Sequence, residues 1–412
     1  MSHDDVPEGW ELIGDADAPR AHFSLGPKPD LITSVRSLKD LMDRVLGRGD
    51  YERTSGGDAG WAHVVPFPFL AMVAAREAQT ALLLSVVHPG LGGVLLAGPS
   101  GAGKSTLARS LATILPPVVR SLCYYGCLPE DIERGGLEAV CEDCARKYQA
   151  GEPLATESPA RVIELDPTIP LDDVLGHPNT ANQTPRVRKG LLAHADGHVV
   201  YLDDLARYPP HVLETVLEAA AMGYYTVHRQ GWTASYRSRV ILVASVDPAQ
   251  TPVPQRWLER FALRAVMRPP HEMEARVQIY EHLRAWRDDP AAFASLFRDD
   301  LDALRADLRT ARARLPRVQV PEALVRAAVR VVQTLGVTSP RAEHAWLEAA
   351  RAHAAAENRE QVTRADLEAT ARLALRWRGA DLTPDLWATT DDVDARVDAV
   401  VRQVLGVEEE AS

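Results

Sequence analysis

The chain has 412 residues, 46% of them hydrophobic, and its 46 Lys and Arg against 57 Asp and Glu give a formal net charge of −11. That length and apolar content allow a full buried core and two or three domains, while the acidic balance argues against a protein that coats nucleic acid. No run reaches the roughly 18 uncharged apolar residues of a spanning helix, and the polar, acidic start MSHDDVPEGWEL is unlike a secretory signal; the expectation is a soluble, cytoplasmic protein.

Residues 1–62 read as an amino-terminal extension with polar ends, glycines at 56, 57 and 60, and one helix near 38–46; no chemistry is legible there. From Val64 the pattern tightens. Apolar residues at helical spacing predict a helix over 69–87, and the run GVLLA at 93–97 predicts a strand, followed by a helix over 106–115. Further strands are expected at 161–165 (RVIEL), 199–202 (VVYL), 240–246 (VILVASV) and 263–267, with a helix at 210–221 and a hairpin over 223–239 turning at Arg229, Gln230 and Gly231. Continuous apolar strands alternating with helices indicate a five-stranded parallel α/β sheet, carrying hairpin insertions and covered on both faces. This nucleotide-binding domain spans 63–270, with a cysteine-containing insertion at 121–150. Charged helical sequence at 271–320 reads as a connector, 321–380 as a small helical domain with Thr363 as an N-cap, and 381–412 as a helical, acidic tail.

The strongest chemical signal is GPSGAGKS at residues 98–105, which fits G-x-x-x-x-G-K-[ST] directly after a strand and before a helix. Gly98, Pro99, Ser100, Gly101, Ala102 and Gly103 form a loop whose backbone N–H groups cradle phosphate, with Thr106 continuing into the helix. Lys104 reaches the β- and γ-phosphates, and Ser105 holds Mg²⁺, so the chain is expected to bind ATP or GTP. The strand at 199–202 ends in Asp203 and Asp204, placed to order Mg²⁺ and to polarise an attacking water. The strand at 240–246 ends in Asp247, near the γ-phosphate, where a carboxylate is repelled unless a cation or proton meets it. Arg260 and Arg341 are candidate phosphate-sensing arginines, one reaching a neighbouring subunit and one in the helical domain. Cys123, Cys127, Cys141 and Cys144, spaced as two pairs, suit a structural Zn²⁺, unligated thiols or an oxidised pair. His194 and His198 have i,i+4 spacing but no HExxH context, and a structural role is expected.

Around these motifs the sequence resembles the I subunit family of magnesium chelatase. The likeness covers about 64–378 and runs through Pro66-Phe67-Pro68-Phe69, His88-Pro89, Asp172-Asp173-Val174-Leu175-Gly176, Lys189-Gly190-Leu191-Leu192-Ala193-His194-Ala195, Trp257-Leu258-Glu259-Arg260-Phe261 and Ser339-Pro340-Arg341. It implies an AAA+ P-loop NTPase with a helical lid at 321–380, working as a hexameric ring with ATP and Mg²⁺. It further implies a partner D subunit with an integrin-like domain, a porphyrin-binding H subunit, and hydrolysis that drives Mg²⁺ into protoporphyrin IX. Asp203 and Asp204 then take the Walker B places, Asp247 sensor 1, Arg260 the finger and Arg341 sensor 2. Two residues depart from the family pattern: Asp204 stands where Glu is usual, and Asp247 where Asn is usual. Relatives serving cobalt insertion or remodelling another target, and a ring subunit that binds nucleotide with little turnover, are the alternatives.

Overall fold

A computed structural model describes residues 65–123, 125–179, 186–229 and 232–407. The expected extension at 1–62, the turn residues Gln230 and Gly231 and the acidic residues 408–412 lie outside them.

Five strands form one parallel sheet: β1 (Val94–Ala97), β2 (Val162–Glu164), β3 (Val199–Leu202), β4 (Ile241–Val246) and β5 (Leu263–Val266). Their order across the sheet is β5-β1-β4-β3-β2, and every neighbouring pair is parallel. Every residue of β1, β3 and β4 is buried, which is why these strands read as uninterrupted apolar runs and not as alternating ones. Side chains on one face of the sheet pack with α1 (Arg76–Val87) and the carboxy-terminal helices, including Leu82, Val86, Leu96 and Val243. Those on the other face, Leu95, Val200, Leu242 and Ala244, pack with α3 (Pro210–Met222).

The helix expected at 69–87 is two pieces. A 3-10 turn at Phe69–Ala71 precedes α1, and Ala74 between them takes φ 57. Tertiary contacts decide this. Phe69 is buried, its N–H donates to Thr113 Oγ1 at 3.2 Å, and Gln79 Nε2 donates to its carbonyl at 3.0 Å. The helix expected at 106–115 is α2 (Lys104–Ser110), continued by a tighter turn at Leu111–Thr113.

The strands Tyr224–Arg229 and Trp232–Arg237 pair antiparallel as the hairpin that the sequence suggested. A second hairpin, Gly176–Asn179 with Arg186–Lys189, had no such signal, because GHPN and RVRK lack apolar alternation. The cysteine-containing insertion is wider than 121–150: its ends are zipped by Val118–Ser121 against Ala155–Ser158.

Beyond β5 the chain is helical: α4 (Met273–Asp288), a short Pro290–Ser295, α5 (Arg298–Arg314), α6 (Glu322–Thr334), α7 (Arg341–Ala356), α8 (Arg364–Leu375) and α9 (Thr390–Val407). Part of the segment read as a connector joins the core. α5 buries Leu301, Leu308 and Ala311, and Arg312 donates to the carbonyl of Val86 in α1. Alanines 342, 345, 349 and 350 let neighbours approach Trp346 closely on α7, and Thr363 caps α8 in a capping box with Asp366. The tail helix α9 buries Val397, Val401 and Leu405, one residue per turn, and so belongs to the same bundle.

Candidate functional site

Parallel strands place their carboxyl ends on one side of a sheet, where ligand crevices form. Here β1, β3 and β4 end in the phosphate loop, Asp203-Asp204 and Asp247 respectively. The loop needs its glycines for definite reasons. A Cβ on Gly98 would lie 2.1 Å from the carbonyl oxygen of Met267, so only glycine fits beside the end of β5. Gly103 adopts φ 86, a left-handed conformation, immediately before α2 begins at Lys104.

Two of the predicted side chains, Ser105 and Asp203, are brought into contact. Asp203 Oδ1 accepts from Ser105 Oγ at 3.0 Å, from Tyr201 Oη at 2.8 Å and from Ser245 Oγ at 2.9 Å. Burial alone would raise the Asp203 carboxyl, but these three hydroxyl donors outweigh it and hold the group below its usual range, hence anionic. Lys104 folds onto its own loop, donating to the carbonyls of Gly98 at 2.6 Å and Pro99 at 2.9 Å. Burial lowers its pKa, and the carboxylates of Asp247, Asp203 and Asp204 pull the other way.

Asp204 is backbone-strained, with φ 59 in a non-glycine residue, and its carboxylate accepts from the N–H of Ala206 at 3.3 Å. Its own N–H donates to Ser245 Oγ at 2.9 Å. Asp247 meets the phosphate loop itself: Oδ2 accepts from the N–H of Ser100 at 3.1 Å and from Gln250 Nε2 at 2.7 Å, while Oδ1 accepts from the N–H of Ala249 at 3.2 Å. The charge that sequence reasoning found awkward is thus satisfied by amide donors, one of them from the loop.

The arginines are placed differently. Arg260 is half-buried and has no side-chain hydrogen bond or ion pair among the described residues. Its neighbour Glu259 is clamped by two buried arginines, Arg378 at 3.0 Å and Arg264 at 3.3 Å. Arg341 is exposed at the first position of α7. Gly101, Ala102 and Thr106 lie on the loop and on α2, as the motif requires. His198 has the structural role expected, its Nδ1 accepting from the N–H of Arg161 at 3.2 Å. The four cysteines converge within the 118–158 insertion, all four sulfurs lying within 4.8 Å of one another.

Sequence reasoning missed three residues of this site. Tyr201 and Ser245 are the polar members of otherwise aliphatic strands, and that interruption was the available signal. Arg109, one turn after Ser105, holds Glu164 at the end of β2 through two bonds of 2.9 and 3.0 Å and lies 3.9 Å from Asp203. It also missed a cavity of about 300 Å³ beside Pro99, lined by Arg268, Pro269, Pro270, His271, Arg276 and Trp387.

A parallel sheet ordered β5-β1-β4-β3-β2, with a phosphate loop after β1 and a helical bundle beyond β5, defines a P-loop protein of the AAA+ class. Comparison with known families agrees. The family described as magnesium chelatase, subunit ChlI, matches residues 70–123, and the AAA lid domain matches 325–399. The magnesium-chelatase 38 kDa subunit of Acidiphilium rubrum is 34% identical over 318 residues, covering 76% of this chain and 90% of that protein. The magnesium-chelatase subunit ChlI of Synechocystis sp. is 31% identical over 353 residues, covering 84% and 96%. A crystal structure of an ATPase from Cytophaga hutchinsonii shares the fold, with a TM-score of 0.51 at 15% identity over 81% of this chain and 90% of that one. This chain belongs to the magnesium-chelatase subunit I family.

Proposed function

We propose that the chain is the ATP-hydrolysing motor subunit of a magnesium chelatase, coupling turnover to insertion of Mg²⁺ into protoporphyrin IX. The observation that carries this reading is the bond between Ser105 and Asp203, which joins the phosphate loop to the end of β3 through two hard oxygen donors. Those donors suit the cation of Mg-ATP, which, when bound, would supply positive charge against the phosphates. Ser105 and Asp203 would hold that ion, Lys104 would leave the loop carbonyls for the phosphates, and the loop N–H groups would bind the phosphate oxygens. Asp204 is the residue to polarise the attacking water. Arg260, free of partners among the described residues, is the residue to reach the nucleotide of an adjacent subunit in a ring, and Arg341 to report nucleotide state from the lid. A D subunit with an integrin-like domain and a porphyrin-binding H subunit are the partners this reading requires; the porphyrin site lies on the latter.

A second reading is favoured by one observation: Asp247 accepts the Ser100 N–H that a phosphate would need. A chain whose own carboxylate competes for that donor could bind nucleotide and assemble with little turnover. Steady-state phosphate release separates the two. Release with Mg-ATP that rises per subunit with protein concentration and is lost in Lys104→Ala supports the motor; clear ATP binding with no release overturns it in favour of the second reading.

A further inference from the structure

The chain has four cysteines in all, and the fold gathers every one of them in the insertion between α2 and β2. Cys123 and Cys127 follow the strand Val118–Ser121, Cys141 precedes the helix Glu142–Gln149, and Cys144 lies within it. Cys127 and Cys144 are buried, Cys123 and Cys141 half-buried, and all four are free thiols. The Cys123 and Cys141 sulfurs are 4.0 Å apart, and no two of the four are more than 4.8 Å apart. A tetrahedral Zn–S₄ centre with bonds of about 2.3 Å has sulfurs about 3.8 Å apart, so small side-chain rotations close the set around one ion. Disulfide bonding needs about 2.05 Å.

The backbone around the sulfurs is arranged for thiolates. The N–H of Tyr125 donates to Cys123 Sγ at 3.2 Å and that of Cys141 to Cys127 Sγ at 3.4 Å. Such outer donors steady a metal-bound thiolate and spread its charge. Lys189 adds a cation within electrostatic reach of Cys123 and Cys127. Apart from the strand pair at its ends, the insertion has little apolar core of its own. Among the described residues, the buried cluster around the cysteines adds Ile132 and Leu154 with Val140 packed against it, while Val119, Leu122, Tyr125, Leu137 and Tyr148 are exposed. Segments with so small a core are ordinarily stapled by disulfides or metal.

We propose that Cys123, Cys127, Cys141 and Cys144 bind one zinc ion that clips the 118–158 insertion. Four protein ligands fill a tetrahedral zinc and leave no open position, so the role is structural. Each ligating thiol gives up its proton on binding. The clip has a consequence next door. Gly126, in the loop between the first two cysteines, accepts from Arg237 Nη1 at 3.2 Å; Arg237 also pairs with Asp131, and Arg239 with Glu130 at 2.5 Å. The zinc thereby fixes the docking of the 224–237 hairpin. The inference shares no residue with the phosphate loop and stands or falls independently of nucleotide turnover.

The test is elemental analysis of the full chain purified under reducing conditions without affinity tags that bind metal. About one zinc per chain is expected, released stoichiometrically when a mercurial blocks the thiols, and replaceable by Co²⁺ with the ligand-field spectrum of a tetrahedral thiolate site. The half-buried pair is the place for variants: Cys123→Ser with Cys141→Ser is expected to lower zinc at least fivefold and speed proteolysis within 118–158, with fluorescent nucleotide binding retained. Four titratable thiols with no metal overturn the proposal, as do disulfides, iron at the same stoichiometry, or a Co²⁺ spectrum without tetrahedral thiolate character. The wild-type metal content and Co²⁺ spectrum decide the matter even where the double variant fails to fold.

Discussion

Arg376 is a buried charge that ties the carboxy-terminal helices to the α/β core. It follows α8 directly and is fully buried, yet it reaches α1, β5 and the tail helix α9. Nε and Nη2 bind the Asp394 carboxylate at 2.7 and 2.6 Å, Nη1 binds Glu77 at 2.6 Å, and the same nitrogen donates to the carbonyl of Arg264 at 2.8 Å. Burial opposes the charge, but the bonds from Asp394 and Glu77 outweigh it and raise the pKa above the ordinary arginine value. Arg376→Met keeps the stem and removes the guanidinium, which strands Asp394, itself 9% exposed, and the partly buried Glu77. Breaking a buried pair by deleting one partner costs about 3–5 kcal/mol, largely from the charge left behind. Urea unfolding followed by tryptophan fluorescence is expected to show that loss as a lower midpoint at unchanged slope. Adding Asp394→Asn removes the stranded anion, so the double variant should recover part of the stability instead of losing more. A single-variant loss below about 1 kcal/mol, or a double variant as unstable as the sum of both singles, refutes the reasoning.

Four further outcomes follow from the site and the bundle. Asp247→Asn removes a carboxylate that occupies the Ser100 N–H, and should tighten Mg-ATP binding several-fold in a fluorescent-nucleotide titration; weaker binding would contradict the competition. Ser245→Ala deprives Asp203 and the Asp204 N–H of a shared partner and should destabilise by about 1–3 kcal/mol in the same urea assay, with a value near zero counting against the network. Arg260→Ala should leave ATP binding intact while lowering phosphate release at least about tenfold, since the group is asked to act only on a neighbour's nucleotide; equal loss of binding would place it elsewhere. Burial raises the Glu348 carboxyl, but bonds from His88 and Arg351 dominate and bring it from 4.5 down to about 2. A depressed carboxylate stabilises the fold above its unfolded pKa, so this contribution, about 3 kcal/mol, is present above pH 4.5 and is lost as the pH falls toward 2. Glu348→Gln should flatten the stability profile across that window, and an unchanged profile would remove the group from the account.

The sequence by itself determined whatever depends on neighbours along the chain. The phosphate loop was legible because a glycine pattern with Lys104 and Ser105 is a local geometric requirement, met between an apolar run and a helix. β1, β3 and β4 were legible because burial on both faces erases alternation, and Asp203, Asp204 and Asp247 because they end such runs. The capping box at Thr363 and the hairpin at 224–237 were likewise local signals.

What only the tertiary structure decided is everything that depends on groups distant in sequence. The break before α1 comes from Thr113 and Gln79 holding Phe69, and no periodicity records those partners. Tyr201 and Ser245 joined the site because β3 and β4 are neighbours in the sheet, an order that the chain does not spell out. Arg376 became a bridge between the carboxy-terminal helices and the core because Glu77, 299 positions earlier, arrived beside it. The four cysteines were visible as a spacing, but a spacing fixes only how far apart ligands are along the backbone. Whether their sulfurs meet depends on the zipped strands 118–121 and 155–158 and on the helix at 142–149, which together bring all four within 4.8 Å.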